Sequence, residues 1–239
     1  MTMRLGAVNE FCWMDLKARD VPAAAAFFSA VLGWRFAVDE KDWRRATKIS
    51  ASGFPIGSVS DLAGPLYPPD IPAHIAYYLA VDDVDRRAEK AAANGARLVL
   101  APSDAGDQGR IATLLDPFGA AFSLWQPRGF RGWDLPAAPV VHGPHRMVLA
   151  CADPREAALF YRETLDATPA FTDFVPPHES DSAAPQWELA LVSDDLAAVA
   201  ARVREHGRGS FTWSEHRGLP LLRVSGPEGL TFRIRAAAG

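Results

Sequence analysis

The two halves of the sequence repeat one another, and this repeat restricts the fold more than any other feature. The run FCWMDLKARDVPAAAAFFSAVLGW in the first half corresponds to RMVLACADPREAALFYRETLDA in the second, with Asp20 aligned to Asp153. The runs VDDVDRRAEKAAANGARL and VSDDLAAVAARVREHGRG correspond in the same order, as do DPFGAAFSL and GPEGLTFRI. Such self-similarity indicates one supersecondary unit used repeatedly. We therefore predict one fold written twice, with a shorter second copy.

Each half contains a smaller module that is itself used twice. A predicted strand at 11–18 leads through Asp20 into a predicted helix at 21–32, with Pro22 in its first turn and Gly33 after its end. Proline suits the first helical turn, and glycine readily adopts the left-handed conformation of a helix cap. A second strand and helix follow at 75–81 and 84–94, and then three strand-like runs at 97–100, 110–115 and 120–125. The pattern predicts an α+β fold of four strand–helix–three-strand (βαβββ) modules.

A segment rich in proline and glycine, QPRGFRGWDLPAAPVVHGP, separates the two halves. Such segments are typical of connections between folded regions. We predict a first domain at 1–127, a linker at 128–142 and a second, shortened domain at 143–239.

Composition restricts the partners. The chain is 49% hydrophobic and 23% charged, with a formal net charge of −4. Nucleic acids and anionic membranes bind concentrated basic surface, so neither is an expected partner. The two cysteines, Cys12 and Cys151, lie in apolar runs and are expected to be buried. The start of the sequence lacks the apolar h-region of a secretory signal, so we expect a cytoplasmic protein. The expected partner is a small molecule.

The phrases WMDLKARD, FFSAVLGW, VDDVD and DPFGAAFSLWQP resemble the vicinal oxygen chelate superfamily. This superfamily includes glyoxalase I, extradiol dioxygenases and bleomycin-resistance proteins, and the resemblance is greatest to its tandem-domain glyoxalase-like group. It implies cupped mixed sheets with helices outside. It also implies that the enzymes hold a divalent metal through His, Glu or Gln on the first strand of a module and Glu on the last. Because one chain supplies four modules, we expect a monomer or a homodimer.

The positions that correspond to the family's metal ligands carry unsuitable residues. The resemblance places the first-strand ligand seven residues before the aspartate that opens each helix. In the last module this aspartate is taken as Asp194. The last-strand ligand is placed near the end of DPFGAAFSLWQP in the first half and of its counterpart in the second. An indole offers no ring lone pair, and a guanidinium stays protonated and repels cations. We therefore predict no metal ligands and no cofactor, with a divalent metal as the alternative if this alignment is wrong. The six positions are Trp13, Ala76, Ser123, Arg146, Trp187 and Arg233.

Strand alternation places other reactive side chains on the same faces. His74 and Asp15 form the predicted acid–base pair, because imidazole titrates near neutrality. The alternative for His74 is a solvated residue at the rim. In the first half, the predicted ligand-binding residues are Trp13, Tyr78, Arg110, Ser123 and Trp125, with Arg110 ending a loop that borders the family's cavity. In the second half, Arg146, Trp187 and Arg233 are predicted to bind ligand. The two arginines pair with acids such as Glu188, lie at an open rim, or bind an anionic ligand.

Three functions remain open from the sequence. The first is a metal-free protein that binds a small organic molecule between tryptophans. The second is a metal-dependent glyoxalase-like lyase, isomerase or dioxygenase. The third is a metal-independent enzyme of the same fold that uses His74 and Asp15. Binding is the preferred hypothesis because all six positions depart from the metal-ligand pattern.

Overall fold

The computed structural model describes residues 5–40, 46–65, 67–165, 170–178, 184–216 and 218–237. The first half contains β1 (Phe11–Ala18), α1 (Val21–Leu32), β2 (Arg35–Val38), β3 (Thr47–Ala51), β4 (Phe54–Asp61), β5 (His74–Ala80), α2 (Val84–Ala93), β6 (Arg97–Asp104), β7 (Gly109–Leu115) and β8 (Ala121–Pro127). The second half contains β9 (Pro144–Ala150), α3 (Pro154–Leu165), β10 (Thr172–Val175), β11 (Gln186–Ser193), α4 (Leu196–His206), β12 (Ser210–His216), β13 (Leu219–Ser225) and β14 (Thr231–Ala236).

The strands form two mixed sheets, one from each half of the chain. The eight-stranded sheet has the order β2-β3-β4-β1-β5-β8-β7-β6, and the six-stranded sheet has the order β10-β9-β11-β14-β13-β12. The α+β fold and its tandem arrangement are therefore confirmed. The third module departs from the prediction: among the described residues a single strand, β10, follows α3, because the second half is shorter there.

Aspartates open the helices of all four modules. The side chains of Asp20, Asp83 and Asp195 accept hydrogen bonds from backbone N–H groups three residues later. Asp153 does the same for Glu156 N, at 3.1 Å. Such caps satisfy amide groups that the first helical turn leaves unpaired. The cap of α4 is Asp195, so the prediction that Asp194 opens this helix was one residue early.

The chain also divides into two compact units that are assembled from separate segments. The first unit comprises Met1–Trp13, Ala76–Asp134 and Arg146–Glu188, and the second comprises Met14–Ile75, Leu135–His145 and Leu189–Gly239. Each unit has an aromatic core. The first contains Phe11, Phe122, Tyr161, Phe174 and Trp187, and the second contains Phe27, Phe28, Trp34 and Phe232.

Tyr161 also organises the polar interior of the first unit. Its hydroxyl donates to Asp116 Oδ2 at 2.9 Å and accepts from Trp187 Nε1 at 3.0 Å. The other oxygen of Asp116 accepts from Phe118 N and Ala120 N, closing the DPFG turn before β8. Burial raises the pKa of Asp116 and that of Tyr161. These groups are fully used in maintaining the core.

Both cysteines are buried free thiols, as expected from their apolar surroundings. Within the described ranges, no helix has the length and apolar character needed to cross a membrane.

Candidate functional site

The two faces of β8 separate the core of the first unit from a second group of side chains. Phe122 packs against Tyr161 of α3, with ring centroids 5.3 Å apart. Because side chains alternate along a strand, Ser123 and Trp125 lie on the opposite face. Strand pairing places Tyr78 of β5 and Thr113 of β7 beside Ser123 on that face. One surface of the sheet therefore carries Ser123, Trp125, Tyr78 and Thr113.

Aromatic rings cover much of this surface. Trp13 meets Phe130 edge to face, with centroids 4.8 Å apart and an interplanar angle of 85°. Phe130 also lies 6.2 Å from Trp125, and Tyr78 lies 6.1 Å from Trp125. Such separations are typical of favourable aromatic pairs. We call Trp13, Tyr78, Trp125 and Phe130 the aromatic cluster.

Phe130 was not predicted, because it lies in the proline- and glycine-rich segment that the sequence indicates as a linker. Its carbonyl oxygen accepts from Trp125 Nε1 at 2.9 Å, and its N–H donates to Gln108 O at 3.1 Å. Further along, Trp133 N donates to Cys12 O at 2.7 Å. These hydrogen bonds hold this part of the segment against the first unit, so Phe130 is a fixed wall of the cluster.

Gly109 makes room for the indole of Trp125. A Cβ atom added to Gly109 would lie 2.5 Å from Cζ2 of Trp125 and 2.6 Å from Gln126 O. Real side-chain carbons do not tolerate such separations, so the glycine lets the indole lie directly over β7. The position of Trp125 is thus fixed by β7 below it and by Phe130 beside it.

Ser123 and Thr113 form a buried hydroxyl pair beside the cluster. Their oxygens are 2.8 Å apart, and either hydroxyl can be the donor. Ser123 is 3% exposed. The serine therefore replaces a family carboxylate with a neutral donor and acceptor.

Arg110 lies on the other face of β7. Its guanidinium donates to both oxygens of Asp85 on α2, at 2.6 and 2.8 Å, and to Asp104 at 3.1 Å. These bonds hold the pKa values of Asp85 and Asp104 below their usual range. The strand register pairs Ile111, rather than Arg110, with Trp125. Arg110 thus joins β7 to α2, on the face opposite the aromatic cluster.

Asp15 belongs to the second compact unit and is the acceptor of a polar cluster there. Ser58 Oγ and Ser60 Oγ donate to its two oxygens at 2.9 and 2.7 Å, and Lys17 Nζ donates at 2.8 Å. Lys17 also donates to the hydroxyl of Tyr67 at 3.2 Å. Both carboxylate oxygens are thus occupied by donors from neighbouring side chains. Asp15 therefore positions its neighbours.

His74 lies in the same unit, but no hydrogen bond joins it to Asp15. Its Nδ1 lies 2.8 Å from Pro72 O, so Nδ1 carries the proton in the neutral ring and Nε2 carries the lone pair. Burial lowers the pKa of His74, and the nearby Asp15 charge opposes this shift in part. The predicted pair is thus close enough to interact electrostatically without forming a direct acid–base dyad.

If Ser123 is taken as the last-strand counterpart of Ala76, strand register extends the family resemblance to the first module. Asp15 pairs with Ser58 and Tyr78 pairs with Ser123, each two residues after the first-strand position. The four positions are therefore Trp13, Ser58, Ala76 and Ser123. An indole, a methyl group and two hydroxyls do not fit a divalent ion, which requires imidazole or carboxylate ligands here.

The six-stranded sheet has charged residues at the matching positions. In the third module Val148 pairs with Asp173, which makes Arg146 and Asp173 the two positions. In the last module the helix cap is Asp195, so the first-strand position seven residues earlier is Glu188 instead of Trp187. Ala190, two residues after Glu188, pairs with Arg233, which is therefore the last-strand position. Two of the four positions carry guanidinium groups, which stay protonated and repel a divalent cation.

The observed contacts show the interaction that Arg146 and Asp173 make with each other. Arg146 forms a bidentate ion pair with Asp173, at 2.8 and 3.0 Å, so the pairing alternative holds for this arginine. Glu188 is buried and accepts from Gln186 at 2.9 Å, and Arg233 is also buried. Trp187 packs in the aromatic core against Phe11, with centroids 4.6 Å apart. Across the described residues, no group of three or more His, Cys, Asp or Glu side chains is placed to hold a metal ion.

Comparisons with known proteins agree with this fold. The glyoxalase-like domain family matches residues 13–125. An anthracycline biosynthesis protein, DauV from Streptomyces sp. (strain C5), is 29% identical over 171 residues, which cover 67% of this chain and 62% of that protein. The chain therefore spans less than two thirds of the length of this relative.

Solved structures extend the likeness across the whole chain. The Mn(II)-bound glyoxalase from Novosphingobium aromaticivorans has a TM-score of 0.63 at 18% identity, covering 96% of this chain and 82% of that one. The 2,2',3-trihydroxybiphenyl 1,2-dioxygenase from Sphingomonas wittichii strain RW1 has a TM-score of 0.62 at 14% identity, covering 97% and 91%. At 18% and 14% identity, the likeness concerns the fold alone. Residues 13–125 are therefore similar to the glyoxalase-like domain family, and the chain as a whole shares its fold with these two enzymes.

Proposed function

We propose that the protein binds a small, flat, aromatic organic molecule against the aromatic cluster, without a divalent metal. The observation that carries the proposal is the arrangement of Trp13, Tyr78, Trp125 and Phe130 around one face of β8. Aromatic side chains offer large apolar surface with few rotatable bonds, and a stacked ring gains about 0.5–1.5 kcal/mol beyond area burial. A flat ligand would use this surface best.

The substitution of every metal-ligand position in the eight-stranded sheet supports a metal-free site. The residues there are neutral, so an apolar ligand can approach without stripping water from a charged group. The similarity to an anthracycline biosynthesis protein supports a planar polycyclic ligand, because anthracyclines carry a fused ring system. No cofactor is part of the proposal. A small molecule as the partner, a monomer or homodimer, and a cytoplasmic location remain predictions.

Isothermal titration of the whole chain with anthraquinone-2-sulfonate, in buffer with and without EDTA, tests this proposal. We expect saturable binding that EDTA leaves unchanged. The variant Phe130→Leu keeps an apolar side chain but removes the ring, and we expect it to weaken binding by about two- to tenfold. Phe211→Leu is the matched control, since Phe211 lies on β12 with its ring against Arg204. The proposal fails if the wild type does not bind the probe or if EDTA abolishes binding.

A second candidate function is metal-independent acid–base catalysis, and the tautomer of His74 favours it. Because Pro72 O fixes the proton on Nδ1, the lone pair of Nε2 is available to accept a proton. The lowered pKa keeps the ring neutral to a lower pH than an ordinary histidine. Deuterium exchange into hydroxyacetone, followed by NMR, tests this candidate. Exchange that is catalysed by the wild type and lost in His74→Gln supports it, and equal exchange by both proteins contradicts it.

A further inference from the structure

The hydroxyl pair Ser123–Thr113 has one more proton than its internal hydrogen bond uses. Each hydroxyl carries one donor proton and can accept through its lone pairs. The 2.8 Å contact between the two oxygens uses one of the two protons. No other hydrogen bond of these two side chains is found within the described ranges. The pair therefore retains one O–H donor for a ligand.

The surroundings of the pair specify the kind of acceptor that suits this donor. Tyr78 lies opposite Ser123, and Trp125 lies two residues further along the same face of β8, about 7 Å away at the usual rise per residue. Ile111 lies opposite Trp125. A carboxylate or phosphate brought to these hydroxyls would lose hydration and gain no formal positive charge from the pair. A neutral oxygen acceptor is better matched.

We infer that the ligand is an aromatic ketone or quinone whose carbonyl oxygen accepts a hydrogen bond from the Ser123–Thr113 pair while its rings lie against the aromatic cluster. This inference rests on the proposed binding function and names the substrate class. A fused two- or three-ring system spans the distance from the pair to Trp125. The hydroxyl pair thus orients the molecule, and the aromatic cluster provides the contact area.

A matched pair of probes separates the carbonyl from the rings. Anthraquinone-2-sulfonate and anthracene-2-sulfonate share their outline and charge, and differ in the two carbonyl groups. We expect the wild type to bind the quinone about two- to tenfold more tightly, which corresponds to one net hydrogen bond. In the double variant Ser123→Ala/Thr113→Val this preference should disappear, because no hydroxyl remains and the side-chain shapes are nearly unchanged.

The chain offers a second Ser–Thr pair as a control, in which the threonine hydroxyl of Thr231 also donates to Gly229 O at 2.8 Å. Ser225 Oγ and Thr231 Oγ1 lie 2.9 Å apart on β13 and β14. The variant Ser225→Ala/Thr231→Val should keep the wild-type preference for the quinone. Equal binding of both probes by the wild type, or a preference that survives in Ser123→Ala/Thr113→Val, overturns the inference and leaves the proposed function standing. Failure of both probes to bind overturns the proposed function as well.

Discussion

The two sheets carry the same four positions and fill them in opposite ways. In the eight-stranded sheet Trp13, Ser58, Ala76 and Ser123 are all neutral, whereas the corresponding residues of the six-stranded sheet are Arg146, Asp173, Glu188 and Arg233. Removing water from a neutral side chain costs less free energy than removing it from a charged one, and a buried charge must be paired. Under the proposed function, the first sheet offers neutral side chains to an apolar ligand, whereas in the second sheet Arg146 and Asp173 are paired with each other.

The largest expected effect comes from breaking the Arg146–Asp173 ion pair. Arg146→Met leaves the buried carboxylate of Asp173 without its bidentate partner, and we expect a loss of about 3 kcal/mol in the free energy of unfolding. Urea unfolding measures this change. Arg162→Met is the control, because its pair with Glu163 is exposed and should contribute about 0–1 kcal/mol. Equal effects of the two substitutions would remove the structural role assigned to Arg146.

A pH-dependent effect is expected from Glu10, whose charge interacts with that of Arg146. Burial raises the pKa of Glu10 to about 7, although Oε1 accepts from Ala170 N at 2.5 Å. In the described structure Oε2 has no partner. Because the folded pKa exceeds the ordinary value of 4.5, this group contributes stability below about pH 4.5 that is lost as the pH rises through about 7.

The size of this effect is about 3 kcal/mol, at about 1.4 kcal/mol for each pKa unit. Glu10→Gln resembles the protonated acid and should flatten the stability profile between pH 4.5 and 7. Denaturant unfolding at a series of pH values measures both proteins. The assignment of a neutral Glu10 to the folded state would be contradicted by two results together. The free energy of unfolding of the wild type would rise with pH across this window, and it would not differ from that of Glu10→Gln.

A smaller effect is expected where β7 supports the aromatic cluster. Gly109→Ala places a methyl group against the indole of Trp125 and should displace the ring, lowering the free energy of unfolding by about 1–3 kcal/mol. The near-ultraviolet circular dichroism of the tryptophans should change as well. Gly53→Ala is the comparison: an added Cβ there meets nothing within 4 Å, so any cost comes from its positive φ and the tryptophan signal should not change. An unchanged tryptophan signal in Gly109→Ala would show that the indole does not depend on this glycine.

The smallest effect on stability is expected for Ser123→Ala/Thr113→Val. Replacing both partners of a hydrogen bond with apolar groups of similar shape leaves no unsatisfied donor, so the change should stay below about 1 kcal/mol. Thermal unfolding compares it with Arg146→Met. A loss as large as that of Arg146→Met would mean that the hydroxyl pair is a structural element like the ion pair of the second sheet.

Local sequence signals predicted most of the framework. The helix at 21–32 was predicted with its observed bounds, because Asp20, Pro22 and Gly33 mark both ends. The last module was misaligned by one residue because two aspartates are adjacent, and only the hydrogen bond to Ala198 N distinguishes Asp195 from Asp194. Side-chain periodicity also suggested the neutral face of β8.

Tertiary contacts decided what the sequence could not. Phe130 lies in a segment whose composition predicts a linker, and only its hydrogen bonds to Trp125 and Gln108 place it in the aromatic cluster. The family's loop suggested a ligand role for Arg110, but strand register turns it toward Asp85. Asp173 was missed as a metal-ligand counterpart because its position depends on parallel pairing between distant strands. Glu188 was missed because of the one-residue error at the cap of α4.

Native mass spectrometry of the whole chain with equimolar Mn(II) and anthraquinone-2-sulfonate distinguishes metal-free binding from metal-dependent binding. We expect a complex with one organic molecule and no stoichiometric metal ion. One Mn(II) per chain, with the probe bound only in its presence, would contradict the metal-free site and favour the metal-dependent alternative.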